Sequence, residues 1–310
     1  MIEILRAGPL MTIQDGGRKG FADKGVSQSG VLDNRSMNIV NILLGNRKDE
    51  AVIEMTMAGG DFEFQNETFF ALGGADMGAQ LNGAECRLYT VYRADKGDKL
   101  TMGYAQKGCH GYIGFSGGID VPVVMGSKST NIRCGFGGFE GRKLAAGDVV
   151  STGAPVSGIT DNSYSPETEN TDEIRVLLCA QKDMFTQKGV DNFLSCEYTV
   201  SANYDRMGCR LEGTAVESVN GMDIISDAIA FGAIQISSDG MPIVMLADRQ
   251  TIGGYAKIGA VISTDIPAFV QHKPGEKIHF RAVTLKEAQK LYTKEQKFLS
   301  KLSEKCQKGR

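Results

Sequence analysis

A chain of 310 residues is long enough for two ordinary domains, each burying a core of its own. Its composition, 42% hydrophobic and 23% charged with a net charge of −3 mixed in sign along the chain, gives no general attraction to nucleic acid or to an anionic membrane. No apolar run approaches the roughly eighteen residues a membrane-spanning helix needs. Thirty-nine glycines against seven prolines predict many strands joined by tight turns.

Three histidines, His110, His272 and His279, are too few for a histidine-rich metal site, and no metal ligands are assigned. The seven cysteines form no CxxC pair. With no signal-peptide pattern in MIEILRAGPLMTIQDGG, a cytoplasmic chain with reduced thiols is expected. A GxxxxGK[ST] loop is absent, so a Walker-type nucleotide site is not expected, and three histidines speak against a Ser-His-Asp hydrolase.

In chain order, Met1 to Leu5 and Leu10 to Ile13 read as strands, the second ending in Gln14-Asp15-Gly16-Gly17-Arg18. Asp33 is placed to cap a helix from about Asn34 to Leu44, with Gly45-Asn46 as its stop. From Ala51 to about Val150, short strands at near-regular spacing predict a closed or sandwiched all-β architecture. Glu54 lies in an otherwise apolar strand; pointing inward, it should find an arginine such as Arg18 or Arg142. The glycine turns after Ser116, with Lys128, Ser129, Thr130 and Arg142, suit either an anion cradle or barrel corners.

Three phrases, Gly97-Asp98, Gly147-Asp148 and Gly275-Glu276, step from glycine through an acid into a strand in both halves of the chain. The polar stretch from Ser151 to Asp172 supplies a linker, placed at 156–172, between an N-terminal lobe (1–155) and a C-terminal lobe (173–310). Thr284-Leu285-Lys286-Glu287 fits a capping box, and the helical recurrence after it predicts a helix over about the last 25 residues, its apolar stripe packed on a barrel.

The densest chemistry lies in GAIQISSDGMPIVMLADRQTIGGYAKI. The apolar run Pro242 to Ala247 predicts a buried strand delivering Asp248 and Arg249 at its end. A glycine-rich connection holding Gln250, Thr251, Tyr255 and Lys257 then leads into a strand from Ile258. Tyr204-Asp205-Arg206-Met207-Gly208 is another acid-arginine segment at a strand boundary. Such segments are either sites for an anionic ligand or ion pairs at a barrel rim.

TIQDGGR, GVSQSGVLD, LLGN, GGIDVPVVMGSKST, GFGGFEGR with AAGD, YDRMGCRLEG, and GAIQ with ADRQTIGGYAKI occur in the order found in the biotin-dependent carboxyltransferase-like family of the allophanate hydrolase subunit 2 type. The chain resembles that family from about Ile4 to Phe280. The resemblance implies a mainly β fold of two cyclophilin-like β-barrel lobes, here with a C-terminal helix. It also implies A-type and B-type partner subunits, and use of ATP with Mg by the complex to open 5-oxo-L-proline to L-glutamate. By the same resemblance Lys257, Gly253-Gly254-Tyr255, Asp205 and Arg206 line a cleft. Asp248, Lys257 and Asp205 are the catalytic candidates, with Asp248 or Asp205 as general base. Arg249, Gln250, Thr251, Tyr255, Arg206, Asp15, Arg18 and Arg142 are the candidates for substrate or anion binding, Asp15 and Arg18 being the pair considered for the nucleotide. Cys179-Ala180 and Cys109-His110 depart from the family's pattern, which leaves the substrate open. Two alternatives stand beside this reading: carboxyl transfer from biotin carried on another protein, and non-catalytic regulation of a kinase-inhibitor-like partner.

Overall fold

Twenty strands and four α-helices are found among the described residues of the computed structural model, which are 1–159, 162–165 and 172–308. The chain divides into two compact units, Met1–Arg18 with Ser29–Thr168 and Gln296–Arg310, and Lys19–Gln28 with Glu169–Glu295. No helix among the described residues is long and apolar enough to cross a membrane.

The first unit holds β1 (Ile2–Arg6), β2 (Leu10–Gln14), α1 (Asn34–Leu43), β3 (Val52–Thr56), β4 (Asp61–Phe64), β5 (Thr68–Asp76), β6 (Gln80–Leu81), β7 (Ala84–Glu85), β8 (Val91–Ala94), β9 (Lys99–Thr101), β10 (Lys107–Phe115) and β11 (Val149–Val150). They form sheets of order β11-β1-β4-β9-β6-β7 and β2-β3-β10-β5-β8. Alternate residues of both sheets, among them Ile2, Ile4, Phe62, Phe64, Ile53, Met55, Leu72 and Phe115, meet in one buried cluster, as period-two patterning requires.

The second unit holds β12 (Glu173–Leu178), α2 (Gln187–Ser195), β13 (Glu197–Tyr204), β14 (Gly208–Gly213), β15 (Asp223–Ala228), β16 (Ala233–Ile236), β17 (Pro242–Met245), β18 (Ile252–Tyr255), β19 (Lys257–Val261), α3 (Ile266–Val270) and β20 (Lys277–Ala282); α4 (Leu285–Lys308) is divided between the units. Seven strands close a barrel in the order β12-β19-β16-β17-β14-β13-β20, sealed by parallel pairing of β12 with β20. β15 and β18 form a separate two-stranded ribbon.

Local signals end the elements where their chemistry dictates. Asp33 accepts from the Ser36 amide at the start of α1, and Thr284 accepts from the Glu287 amide at the start of α4. The buried face of α4, Leu299, Leu302 and Cys306, packs against the α1 cluster of the first unit rather than on the barrel, while Leu285 and Tyr292 stay exposed. Residues 160, 161 and 166–171 of the expected linker lie outside the described residues; Asn162 and Tyr164 are bonded to Val91 and Tyr89 of the first unit.

The three glycine-acid steps form the same turn. Gly97, Gly147 and Gly275 take φ values of 90°, 89° and 92°, which favour glycine. Each donates its amide to the carbonyl of a facing strand residue (Phe64, Ile4 and Val200), whose own amide donates back to the carbonyl of Asp98, Asp148 or Glu276. The acid's carboxylate then accepts the amide three residues before it.

Glu54 is buried, but the arginines expected for it are engaged elsewhere. Its Oε2 accepts from the Leu32 amide at 2.8 Å and the Tyr112 hydroxyl at 2.9 Å, and that hydroxyl accepts from the Asp33 amide. Burial, then the nearby Glu54 carboxylate, raises the Tyr112 phenol well above its ordinary value and keeps it a donor. Tyr112→Phe strips a donor from a buried carboxylate and should cost about 1–3 kcal/mol. Urea unfolding checks this; an unchanged midpoint refutes it.

Candidate functional site

The buried strand β17 leads to the site's first fixed point. Beyond its end, Leu246 donates its amide to the Met207 carbonyl and Asp248 donates to that of Arg206. The Arg206 guanidinium then grips the Asp248 carboxylate, Nε to Oδ2 at 2.8 Å and Nη2 to Oδ1 at 3.3 Å, with the two side chains only 6% and 12% exposed. A carboxylate with both oxygens committed to a buried guanidinium is poorly placed to take a proton from a substrate. Asp205 is unsuited too, since its Oδ1 accepts the amides of Met207 and Gly208 and closes the turn between β13 and β14. The general-base role expected of these two acids is therefore not supported by their geometry.

Arg249 differs from the other cations. Its Nε donates to the Ile229 carbonyl at 2.9 Å, Nη1 donates to the Leu246 carbonyl at 3.1 Å, and the guanidinium lies over the Phe231 ring at 5.6 Å. No carboxylate among the described residues contacts it. Burial pushes its pKa down to about 10, so it stays cationic at neutral pH without a counter-ion among those residues.

Lys257 opens β19 and is not part of a loop, because the connection before it is itself paired: β18 lies antiparallel to β15, with Asp227 opposite Gly253. At Gly253 a Cβ would lie 2.6 Å from Ile229 Cδ1 and 2.9 Å from Gln235 Nε2, so a larger residue there would push these flexible side-chain ends aside. The Lys257 amide donates to Gln181 Oε1 at 2.9 Å, and the Cys179 thiol donates to the Lys257 carbonyl. Its Nζ donates to Asp227 Oδ2 at 2.9 Å, which also accepts from Gln181 Nε2 at 3.1 Å.

That hydrogen bond from Lys257, first among several, holds the Asp227 carboxyl below the usual carboxylate range. A carboxyl depressed in the fold contributes stability above its unfolded value, near pH ~4, and loses it as pH falls through the folded value. With no ligand to compete for Lys257, the tether is therefore charged and closed at neutral pH and weakens in acid.

Asp227 and Ile229 are alternate residues of one extended segment, so the anchors of Lys257 and Arg249 lie about 7 Å apart along it. Asp227 and Gln181 were not expected from the sequence. Each meets Lys257 from a distant position, 30 and 76 residues away; Gln181 closes the Cys179-Ala180 segment that departs from the family's pattern, and Asp227 lies in no segment singled out for its chemistry.

The other expected residues divide. Gln250 is exposed, the Thr251 carbonyl accepts from the Ile229 amide, and the Tyr255 carbonyl accepts from Gln235 Nε2 at 3.4 Å. Asp15, Arg18 and Arg142 belong to the first unit, and each makes hydrogen bonds or ion pairs within it. Asp15 accepts from Gly17, Ser127, Lys128 and Ser129; Arg18 donates to the carbonyls of Val124 and Ser129 beneath the Phe136 ring; Arg142 pairs with Asp148 and Glu140. Lys128 pairs with Glu50, and the Thr130 hydroxyl donates to the Ile13 carbonyl. The glycine turns here are corners of a closed loop, not an anion cradle. No cluster of three or more His, Cys, Asp or Glu among the described residues is arranged to hold a metal ion.

Asp248→Ala should destabilise the chain by about 3–5 kcal/mol, because it strands a buried guanidinium. The double variant Arg206→Met with Asp248→Leu should recover most of that loss. Thermal unfolding of the three proteins checks this, and wild-type stability of Asp248→Ala alone refutes it.

Residues 24–282 match the family described as carboxyltransferase domain, subdomain A and B. The chain is similar to the C subunit of 5-oxoprolinase from Escherichia coli strain K12, 34% identical over 98% of each chain. It is also similar to the C subunit of 5-oxoprolinase from Haemophilus influenzae, 36% identical over 97% of each. Its structure resembles that of the urea amidolyase of K. lactis with a TM-score of 0.90 and 27% identity, over 97% of this chain and 20% of that one. The chain is a member of the carboxyltransferase domain, subdomain A and B, family, with curated relatives that are components of enzyme complexes.

Proposed function

We propose that this chain is the C-type component of an ATP-dependent 5-oxoprolinase complex, opening 5-oxo-L-proline to L-glutamate together with A-type and B-type partners in the cytoplasm. Similarity over 98% of the chain to the C subunit of a 5-oxoprolinase supports the reading. The observation that carries it is Arg249, a partly buried guanidinium with no carboxylate partner among the described residues, in a site that also holds Lys257.

The substrate is an anion with a lactam. A guanidinium fork suits its carboxylate, and binding it would restore the charge balance that burial of Arg249 upsets. Lys257 then faces the lactam end, where an ammonium stabilises the negative charge that develops on oxygen as the amide opens. ATP with Mg would convert that oxygen into a leaving group. Of the residues first considered for the nucleotide, Asp15 accepts four donors and Arg18 commits Nε and Nη2 to carbonyls of the same loop, which favours a structural role for the pair. ATP is accordingly assigned to the partners in this proposal. No general base is assigned to this chain.

Carboxyl transfer from biotin on another protein is the second reading, favoured by the structural likeness to a urea amidolyase. A cation without a counter-ion would serve a carboxylated carrier as well as a carboxylate substrate.

The deciding assay is glutamate release from 5-oxoproline and ATP, with this chain added to or withheld from its A-type and B-type partners. Turnover should require the chain. Arg249→Ala should raise KM for 5-oxoproline about 10- to 100-fold, the ~1.5–3 kcal/mol of a hydrogen bond to a charged group, while leaving the thermal stability of the free chain unchanged or higher. A complex that assembles but never consumes 5-oxoproline overturns the reading, and biotin-dependent carboxylation is then the activity to measure.

A further inference from the structure

Asp227 Oδ2 sits where two donors converge, 2.9 Å from Lys257 Nζ and 3.1 Å from Gln181 Nε2. The donors are fixed and the acceptor is not. Lys257 is only 11% exposed at its side chain, and its amide and carbonyl are bonded to Gln181 and Cys179; Gln181 Oε1 accepts that amide, which orients the Nε2 end of the carboxamide. Asp227 is 54% exposed and projects from the β15–β18 ribbon. The pairing of that ribbon breaks register between Asp223 and Asp227, and β15 carries Ile225 at 95% exposure, so little packing holds the strand that bears Asp227.

We propose that Lys257 Nζ and Gln181 Nε2 form an oxyanion site that the side chain of Asp227 occupies at rest and that an oxygen of an anionic ligand takes over by displacing it. The ligand class is a carboxylate or an oxygen of carboxylate-like geometry, since that is the group the two donors already hold. Displacement needs only a side-chain rotation into water for Asp227, whereas the Lys257 side chain, 11% exposed on a backbone bonded to Gln181 and Cys179, has little room to swing away. The inference deepens the oxoprolinase reading by assigning a receiver for the oxygen on which negative charge develops as the lactam opens. It rests on that reading only for the identity of the ligand.

The test uses acetate as the probe on the free chain, with trinitrobenzenesulfonate labelling of Lys257 read by peptide mass mapping. In Asp227→Ala, Lys257 should label about five-fold faster without acetate, and acetate should protect it at about five-fold lower concentration than in wild type. Gln181→Leu in the Asp227→Ala background should abolish the gain in acetate protection, and Asp227→Glu should restore wild-type behaviour. Unchanged labelling and protection in Asp227→Ala overturn the proposal. With the A-type and B-type partners present, Asp227→Ala should lower KM for 5-oxoproline with little change in kcat. Acetate protection without any 5-oxoproline turnover would uphold the oxyanion site and reject the oxoprolinase reading, so the two failures are distinguishable.

Discussion

The buried pairing of Arg206 with Asp248 is the constraint on which the functional edge of the barrel depends. Two backbone bonds and a bidentate ion pair fasten the end of β17 to the β13–β14 turn, and Arg249 follows at once. With Asp248 turned onto Arg206, its neighbour donates to Leu246 and Ile229 instead. A charged pair so little exposed gains less from Coulomb attraction than it loses in hydration unless its geometry is good, and here both guanidinium contacts are made. The pair fixes a direction for the chain more than it adds stability.

A similar sequence phrase has opposite outcomes in the two units. Gln14-Asp15-Gly16-Gly17-Arg18 and Ala247-Asp248-Arg249 both place an acid and an arginine after a strand. In the first unit, the 116–142 loop folds over the pair: Ser127, Lys128 and Ser129 close on Asp15, while the Val124 and Ser129 carbonyls receive Arg18. Gly137 makes the closure possible, because a Cβ there would collide with the Ser129 carbonyl oxygen. In the second unit the acid is neutralised by a different arginine, Arg206, while Arg249, like Arg18, donates to two carbonyls against a ring but, unlike Arg18, stays partly exposed. Buried polar groups find partners wherever the chain can supply them, so the cation left partly exposed is the informative one.

What was legible in the sequence was local. The cap at Asp33, the Thr284 half of the expected capping box, the glycine-acid turns and the strand before Asp248 depend on contacts within a few residues or on period-two burial, and the structure has them; the Glu287 carboxylate pairs with Arg281 instead of returning to the cap. The partners of the charged groups were not legible, because strand order decides them. Glu54 meets Tyr112 because β3 pairs with β10 and sets these two residues opposite each other. Lys257 meets Asp227 because a register break in the β15–β18 ribbon brings residue 227 beside Gly253. The ribbon itself escaped notice since β15, reading DIISDA, is exposed along almost its whole length and lacks the alternation that marks a half-buried strand.

The Asp227 carboxylate also sets an entry threshold. A group tethered to the same chain competes at an effective concentration of about millimolar, whatever the solution contains. Chloride or a stray carboxylate with a single weak contact loses that competition. A ligand that engages Arg249 at the same time wins it, because its second oxygen arrives with an effective concentration of its own. Discrimination between one-point and two-point anions would then come from a side chain that touches neither class of ligand in its bound state.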